Sequence, residues 1–214
     1  MKGIFITFEG IEGCGKSTQL ELLAKELENR GLKVLKTQEP GGTKIGAMIR
    51  KILLDPKNKA ITPMTELMLY GASRSQHLKE VILPAIEAGK IVLCDRYSDS
   101  TVAYQCYGRG LNLEAIKRLD SLLTGGLKPS LTILLDIDPE KGLLRAKKRI
   151  EKNNSMKENR IEQEGFSFHK RVREGYLKIA EEEPDRIRVI GADLPVEEIH
   201  KKIIEIVKER FRWP

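Results

Sequence analysis

The chain is short of cysteine and has no long apolar run, and each shortage excludes something. Its 214 residues contain three cysteines. Cys14, Cys94 and Cys106 are odd in number and share no metal-like spacing, so they point to neither a disulfide framework nor a cysteine metal site. That usage suits a reduced compartment, and the cytoplasm is the expected location. No run of about 18 apolar residues offers a membrane span, and Met1-Lys2-Gly3 leads straight into a short core strand without a signal-peptide pattern. A soluble chain with no membrane partner is expected. Internal repeats and low-complexity linkers are also absent, and the three histidines, His77, His169 and His200, are too scattered to read as ligands or catalysts.

What is present is one complete phosphate-binding signature. Gly10-Ile11-Glu12-Gly13-Cys14-Gly15-Lys16-Ser17 is a G-x-x-x-x-G-K-[ST] run. The apolar segment Gly3 to Glu9 precedes it, and Leu20, Leu23, Ala24 and Leu27 follow at helical spacing, so it lies between a strand and a helix. Glycines there let successive N–H groups point into one concave pocket. Lys16 reaches outer phosphates, Ser17 can place its hydroxyl on Mg²⁺, and the helix adds its positive end.

The formal charge is +7, and the excess is local: Lys141 to Arg160 holds eight Lys or Arg against two Glu. Concentrated beside a phosphate loop, that charge is better suited to a nucleotide's polyphosphate than to tracking a nucleic-acid backbone. Its competing reading is a solvated helix face.

Apolar β-like runs alternate with helical patterns, which predicts a parallel sheet covered by helices on both faces. Strands are expected at Gly3 to Glu9, Lys33 to Thr37, Lys90 to Asp95, Leu131 to Asp136 and Arg186 to Ile190. The first helix, Lys16 to Arg30, should close on Gly31 as a left-handed cap. A second is expected from Ile45 to Leu54. Thr62-Pro63 opens a long helical stretch to about Ala88, interrupted at Gly71 and Pro84. Further helices are expected at Ser100 to Cys106, Leu113 to Leu123, Pro139 to Arg149 and onward, Glu164 to Glu182, and Pro195 to Arg210. With 40% hydrophobic residues, the length supports a single domain spanning 1–214 with a mobile basic insert at about 145–160.

Two strands end in Asp, at Asp95 and Asp136, and either could supply the second acidic element of a nucleotide-binding site. Asp95 is the better candidate for orienting metal-bound water, because Arg96 follows it directly and can fork a phosphate. Asp136 reads as a strand-end turn acid before Pro139.

Taken together, the phosphate loop, Glu39-Pro-Gly-Gly-Thr43, Asp95-Arg96-Tyr97 with Ser100-Thr101-Val-Ala-Tyr104-Gln105, and Asn159-Arg160-Ile-Glu162-Gln163 resemble the thymidylate kinases. The resemblance covers nearly the whole chain, in order. It implies a three-layer α/β P-loop kinase fold around a five-stranded parallel sheet, and transfer of the γ-phosphoryl group of ATP to dTMP, with Mg²⁺. On that resemblance Gly10 to Ser17 and Thr18 would hold the ATP phosphates, with Arg145 near the adenine or its phosphates. Ser17, Glu9 and Asp95 would lie near the metal. Arg50 and Arg96 would clamp the dTMP phosphate, with Glu39 and Glu9 near its sugar or phosphate. Tyr70 would stack on thymine and Arg74, one helical turn on, would read its edge. Ser100, Thr101, Tyr104 and Gln105 would line the nucleoside, with Tyr104 against the deoxyribose.

Because the loop carries no arginine, the chain resembles the bacterial type whose catalytic arginine comes from the lid. Arg149 and Arg160 are the candidates. A homodimer is also implied. The chain departs from the pattern at Gln38, where arginine is common, at Cys14, where a smaller Ala or Ser is usual, and in a long segment between Ile150 and Asn159. Three other readings stand beside this one. A switch GTPase would need Asn-Lys-x-Asp and Asp-x-x-Gly elements, which do not occur. A nucleic-acid-dependent ATPase would want a broader basic face. A related kinase with a different acceptor would keep the same phosphate sites.

Overall fold

In the computed structural model, residues 3–152 and 159–212 are described. Five strands form one parallel sheet in the order β2-β3-β1-β4-β5: β1 is Ile4–Glu9, β2 Val34–Gln38, β3 Ile91–Asp95, β4 Leu131–Asp136 and β5 Ile187–Gly191. All five expected strands are there, displaced by at most one residue at either end. The central three strands are buried on both faces, which is why they read as near-continuous apolar runs. Register places Phe8 opposite Asp95 on one side of β1 and Ile133 on the other. The carboxyl ends of β1 and β3 therefore finish within one residue of each other, and β4 runs two residues further.

Alternation along β1 divides the core. Ile6 and Phe8 face one cluster with Leu93, Ile133, Leu135 and the helices at the chain's two ends, while Phe5 faces the other with Val92, Ile82 and Tyr97. The chain leaves β1 toward one edge of the sheet and β4 toward the other. Loops diverging in this way open a crevice beyond the strand ends, where α/β sheets hold ligands.

Helix α1 (Lys16–Asn29) starts at the end of the phosphate loop and buries Leu20, Leu23, Ala24 and Leu27. It ends as expected: Gly31 takes φ 77°, its N–H donates to the Glu28 carbonyl, and the Leu32 N–H donates to Leu27. Thr43 caps α2 (Lys44–Leu54) by accepting from the Gly46 N–H at 2.9 Å, and Thr62 caps α3 (Pro63–His77).

The long stretch after Pro63 differs from expectation in one respect. The helix runs straight through Gly71, whose missing side chain lets Leu123 approach; a Cβ there would come within 2.6 Å of Leu123 Cδ1. Pro84, which has no N–H to give, is accommodated by a π-helical turn over Leu78–Ile82 that leads into α4 (Leu83–Glu87). A second π-helical segment, Val102–Gly108, continues the short α5 (Ser98–Thr101), where an ordinary helix is expected.

The remaining helices are α6 (Leu113–Thr124), α7 (Pro139–Lys152), α8 (Phe166–Glu182) and α9 (Val196–Phe211). Part of the expected basic insert, residues 153–158, lies outside the described residues.

Candidate active site

The phosphate loop rises from the end of β1 with Gly10, Gly13 and Gly15 at φ 132°, 73° and 96°. Gly13 also needs to be glycine for space, because a side chain there would run into the carbonyl of Gly142 in α7. The residue before α1 is Gly15, so no side chain caps the helix, and its first N–H groups face the loop. Lys16 donates to the carbonyls of Gly10 at 3.0 Å and Ile11 at 2.9 Å and approaches Cys14 Sγ at 3.5 Å. Ser17 donates to Asp95 Oδ2 at 2.7 Å, which brings the ends of β1 and β3 together at one polar point.

One cleft runs from this loop across the strand ends. It is lined by Glu12, Gly13, Lys16 and Ser17 from the loop, Glu39 and Arg50 after β2, Tyr70 and Arg74 from α3, and Asp95 and Arg96 after β3. Ser100, Thr101, Tyr104, Gln105 and Arg149 complete that wall. Most residues expected from the sequence are thus brought together. Gly10, Ile11 and Cys14 form the loop's frame behind that surface, with Ile11 and Cys14 in the core, and Gly15 is exposed at the start of α1. Thr18 is exposed on the outer side of α1, toward Glu21 and Lys36.

Arg96 has a left-handed backbone, φ 73°, a conformation that costs a non-glycine residue free energy and is found mainly where function demands it. Its guanidinium donates to Glu12 at 3.0 Å, to the Tyr176 hydroxyl at 3.0 Å and to Ser100 at 3.3 Å, and lies 5.0 Å from the centre of the Tyr104 ring. Tyr104 in turn donates to both oxygens of Glu12, at 2.8 and 2.9 Å. Burial alone would raise the Glu12 pKa, but Arg96, His169 and Lys16 hold it well below the usual carboxylate range. His169 Nδ1 stands 3.4 Å from Glu12, too far for a well-formed hydrogen bond, and acts as a buried neighbour.

Arg74 is buried and nearly saturated. It donates to Glu39 at 2.8 Å, Asp120 at 3.0 Å, the Tyr97 carbonyl at 3.0 Å and Thr101 at 2.8 Å. The other oxygen of Glu39 pairs with His77 Nδ1 at 3.0 Å. His77 carries no motif, but it sits three residues after Arg74 on the same helical face, which is the only sequence sign of this contact. Arg50 is tied to the Pro40 carbonyl at 2.8 Å, and burial lowers its pKa. Burial, followed by Glu66, pushes the Tyr70 pKa up to about 12.

Three expected residues lie behind or beside the cleft. Glu9 is fully buried, and its carboxylate accepts from the Tyr97 N–H at 2.7 Å, Ser100 at 2.6 Å and Tyr176 at 2.8 Å. Arg145 donates to the Ala192 carbonyl at 2.8 Å, on the loop after β5. Arg160 is 7% exposed, donating from Nε to the Leu53 carbonyl and from Nη2 to Glu66, whereas Arg149 is about half exposed, lines the cleft and meets Glu162 at 3.1 Å. Asp136 holds Arg173 through both oxygens, in keeping with a structural acid.

A family model described as thymidylate kinase matches residues 8–203. The chain belongs to the thymidylate kinase family. It is 55% identical over 210 residues to a thymidylate kinase of Geotalea daltonii, covering 98% of each chain. To a thymidylate kinase of Trichlorobacter lovleyi it is 51% identical over 211 residues, covering 99% of this chain and all of that one. The crystal structure of a thymidylate kinase from Ehrlichia chaffeensis shares the fold with a TM-score of 0.77 at 33% identity, over 97% of this chain and 99% of that one.

Within a thymidylate kinase, a cleft with an ammonium and open helix amides at one end and two arginines in its middle can bind phosphates and screen charge between them. Lys16 bonds only within its own loop, so Lys16→Ala should leave unfolding unchanged while lowering kcat by on the order of 100-fold or more. Near-normal turnover in that variant would remove the loop from catalysis. Glu9 gives a pH signature. Burial, then the charge of Asp99, pushes its pKa from 4.5 up to about 7. The folded state keeps this proton to higher pH than the unfolded chain, so stability falls as pH rises between those values. Relative to Glu9→Gln, the unmodified protein should lose up to roughly 3 kcal/mol in urea unfolding between about pH 4 and pH 8. Parallel curves for the two proteins would contradict that shift.

Proposed function

We propose that this chain transfers the γ-phosphoryl group of ATP to dTMP, giving dTDP and ADP. The observation that carries this reading is that a single cleft joins Lys16 and Ser17 at one end to Tyr70 and Arg74 at the other, with Arg96 between them. The loop amides and Lys16 hold the ATP phosphates. Arg50 and Arg96 take the acceptor's phosphate, since permanently charged planar forks suit a dianion. Tyr70 and Arg74 face the base, and Tyr104, held by Glu12, stands beside the sugar. Phosphoryl transfer of this kind depends on positioning and charge screening more than on acid–base chemistry.

Mg²⁺ fits the Ser17–Asp95 point. Among the described residues no group of three or more His, Cys, Asp or Glu could hold a metal by itself. A hydroxyl, one carboxylate, waters and substrate phosphates are the coordination that Mg²⁺ accepts. Its chemistry there would be to neutralise charge on the bridging phosphate oxygens. Glu9 has both oxygens taken by hydrogen bonds and serves to place Tyr97 and Ser100.

Residues 145–160 form the proposed basic lid of a single domain, with Arg145 toward the nucleotide and Arg149 toward the migrating phosphoryl group; Arg160 holds structure instead. The homodimer uses α2 and α3, where Ile45, Met48 and Ile52 on one face of α2 and Met64 and Met68 on α3 are each about half exposed. Among the described residues no helix is long and apolar enough to cross a membrane, and the enzyme works in the cytoplasm without nucleic acid.

ADP release from Mg-ATP across dTMP, dUMP, dCMP, AMP, GMP and thymidine should show strong preference for dTMP; preference for another monophosphate would overturn the base-site roles. Arg149→Ala should lower kcat by about 100-fold with little change in the KM for dTMP, whereas Arg160→Ala should also lower the unfolding temperature. The reverse pattern would transfer the phosphoryl-facing role to Arg160. Met48→Lys with Met68→Lys should yield a monomer by sedimentation, and an unchanged dimer would place the interface elsewhere.

A further inference from the structure

Among the described residues, Glu66 is the most heavily bonded acid that does not face the cleft. It is 1% exposed, in the first turns of α3, one turn before Tyr70. Its Oε1 accepts from Gln105 Nε2 and Arg109 Nε, both at 3.0 Å. Its Oε2 accepts from Arg109 Nη2 at 3.0 Å and Arg160 Nη2 at 2.5 Å. Arg109 also meets Glu164 at 2.7 Å and lies over the Phe168 ring, so the two arginines and two acids balance in charge. Apolar packing would fill this position at least as stably, because desolvating such charges is costly. A buried ionic cluster here fixes geometry between segments far apart in the sequence.

The geometry continues to the cleft. Arg160 is pinned by Glu66, by its Nε to the Leu53 carbonyl at 2.9 Å and by its N–H to Leu54 at 3.1 Å. The turn around it is closed by Asn159, whose side chain accepts from the N–H groups of Ile161 and Glu162 and whose own N–H donates to Glu162 Oε2. The other oxygen of Glu162 holds Arg149. Asn159, Ile161, Glu162 and Arg149 all line the cleft, while Arg160 does not.

We propose that Glu66 is a positioning residue for phosphoryl transfer: through Arg160 it fixes the turn 159–162, and through Glu162 in that turn it sets the guanidinium of Arg149. This rests on the phosphoryl-facing role of Arg149 proposed above. Glutamine at 66 keeps an oxygen for Gln105 but removes the charge that anchors Arg160.

The test is a double-mutant cycle on kcat with Glu66→Gln and Arg149→Ala, with thermal unfolding measured for each protein. Glu66→Gln should lower kcat about 10-fold or more when Arg149 is present, and less than about 3-fold when it is already alanine, with the dTMP KM nearly constant. Losses that multiply, or a kcat unaffected by Glu66→Gln, would overturn the positioning role. The Arg149→Ala single variant reports separately on the reading beneath it. An undiminished kcat there would sink both, whereas a loss in Arg149→Ala with multiplying costs would sink only the role of Glu66. If Glu66→Gln does not fold, Arg160→Lys takes its place in the cycle. That variant keeps a charge for Glu66 but loses the fork that spans Glu66 and Leu53, and the same non-additivity is expected.

Discussion

The site depends on buried carboxylates that hold arginines in place. Glu12 fixes Arg96, Glu39 fixes Arg74, and Glu66 fixes Arg109 and Arg160. A long guanidinium side chain left free beside a phosphate would sample many rotamers, and binding would have to restrict them. Here the restriction is built in during folding, and two of these arginines, Arg74 and Arg96, line the cleft. The cost is desolvation, which each arginine offsets by bonding through several nitrogens at once.

The sheet aligns the loops that carry Glu12 and Glu39, which follow β1 and β2. Glu9, at the end of β1, places Tyr97 and Ser100 through its own hydrogen bonds, and Tyr97 follows Arg96 beyond β3. The left-handed turn at Arg96 swings that guanidinium back over the phosphate loop to Glu12. The segment after β3 and the phosphate loop are therefore joined through one ion pair and the Tyr104 hydroxyl. The Gly13–Gly142 contact brings the backbone of α7, which carries Arg145 and Arg149, against the same loop. Motion of the loop or of α7 must be felt by the other.

Much of this was legible before the structure. Strands buried on both faces announce themselves as apolar runs, and the glycine and lysine spacing of the loop reflects a local geometry, so both could be read along the chain. The residues missed were those whose meaning is a distant partner. His77 beside Glu39 and Glu66 beside Arg160 are pairings across 38 and 94 residues, which no local pattern encodes. Gly71 reads as a break in a helix because the sequence does not show Leu123 packing against it. Asp136 reads as a strand-end turn acid; β4 does end there, but the carboxylate holds Arg173, a partner invisible in the sequence for the same reason.

The proposed division of roles between Arg149 and Arg160 is one that energetics favours where the sequence leaves it open. Both lie in the basic stretch, and both are paired with a glutamate. Releasing Arg160 from Glu66 would leave a buried guanidinium without its carboxylate, while Glu66 keeps Arg109, and stranding one buried charge costs roughly 3–5 kcal/mol. The Arg149–Glu162 pair has its arginine about half exposed and its acid buried, but Glu162 also accepts from the Asn159 N–H, so losing Arg149 leaves neither an unbonded acid nor a buried guanidinium. A phosphoryl group carrying more charge than a carboxylate can draw Arg149 away at little cost but cannot readily displace Arg160. An arginine that must meet substrate in each turnover has to be held weakly enough to exchange partners, and one that fixes the turn carrying its neighbour has to be held too strongly to do so.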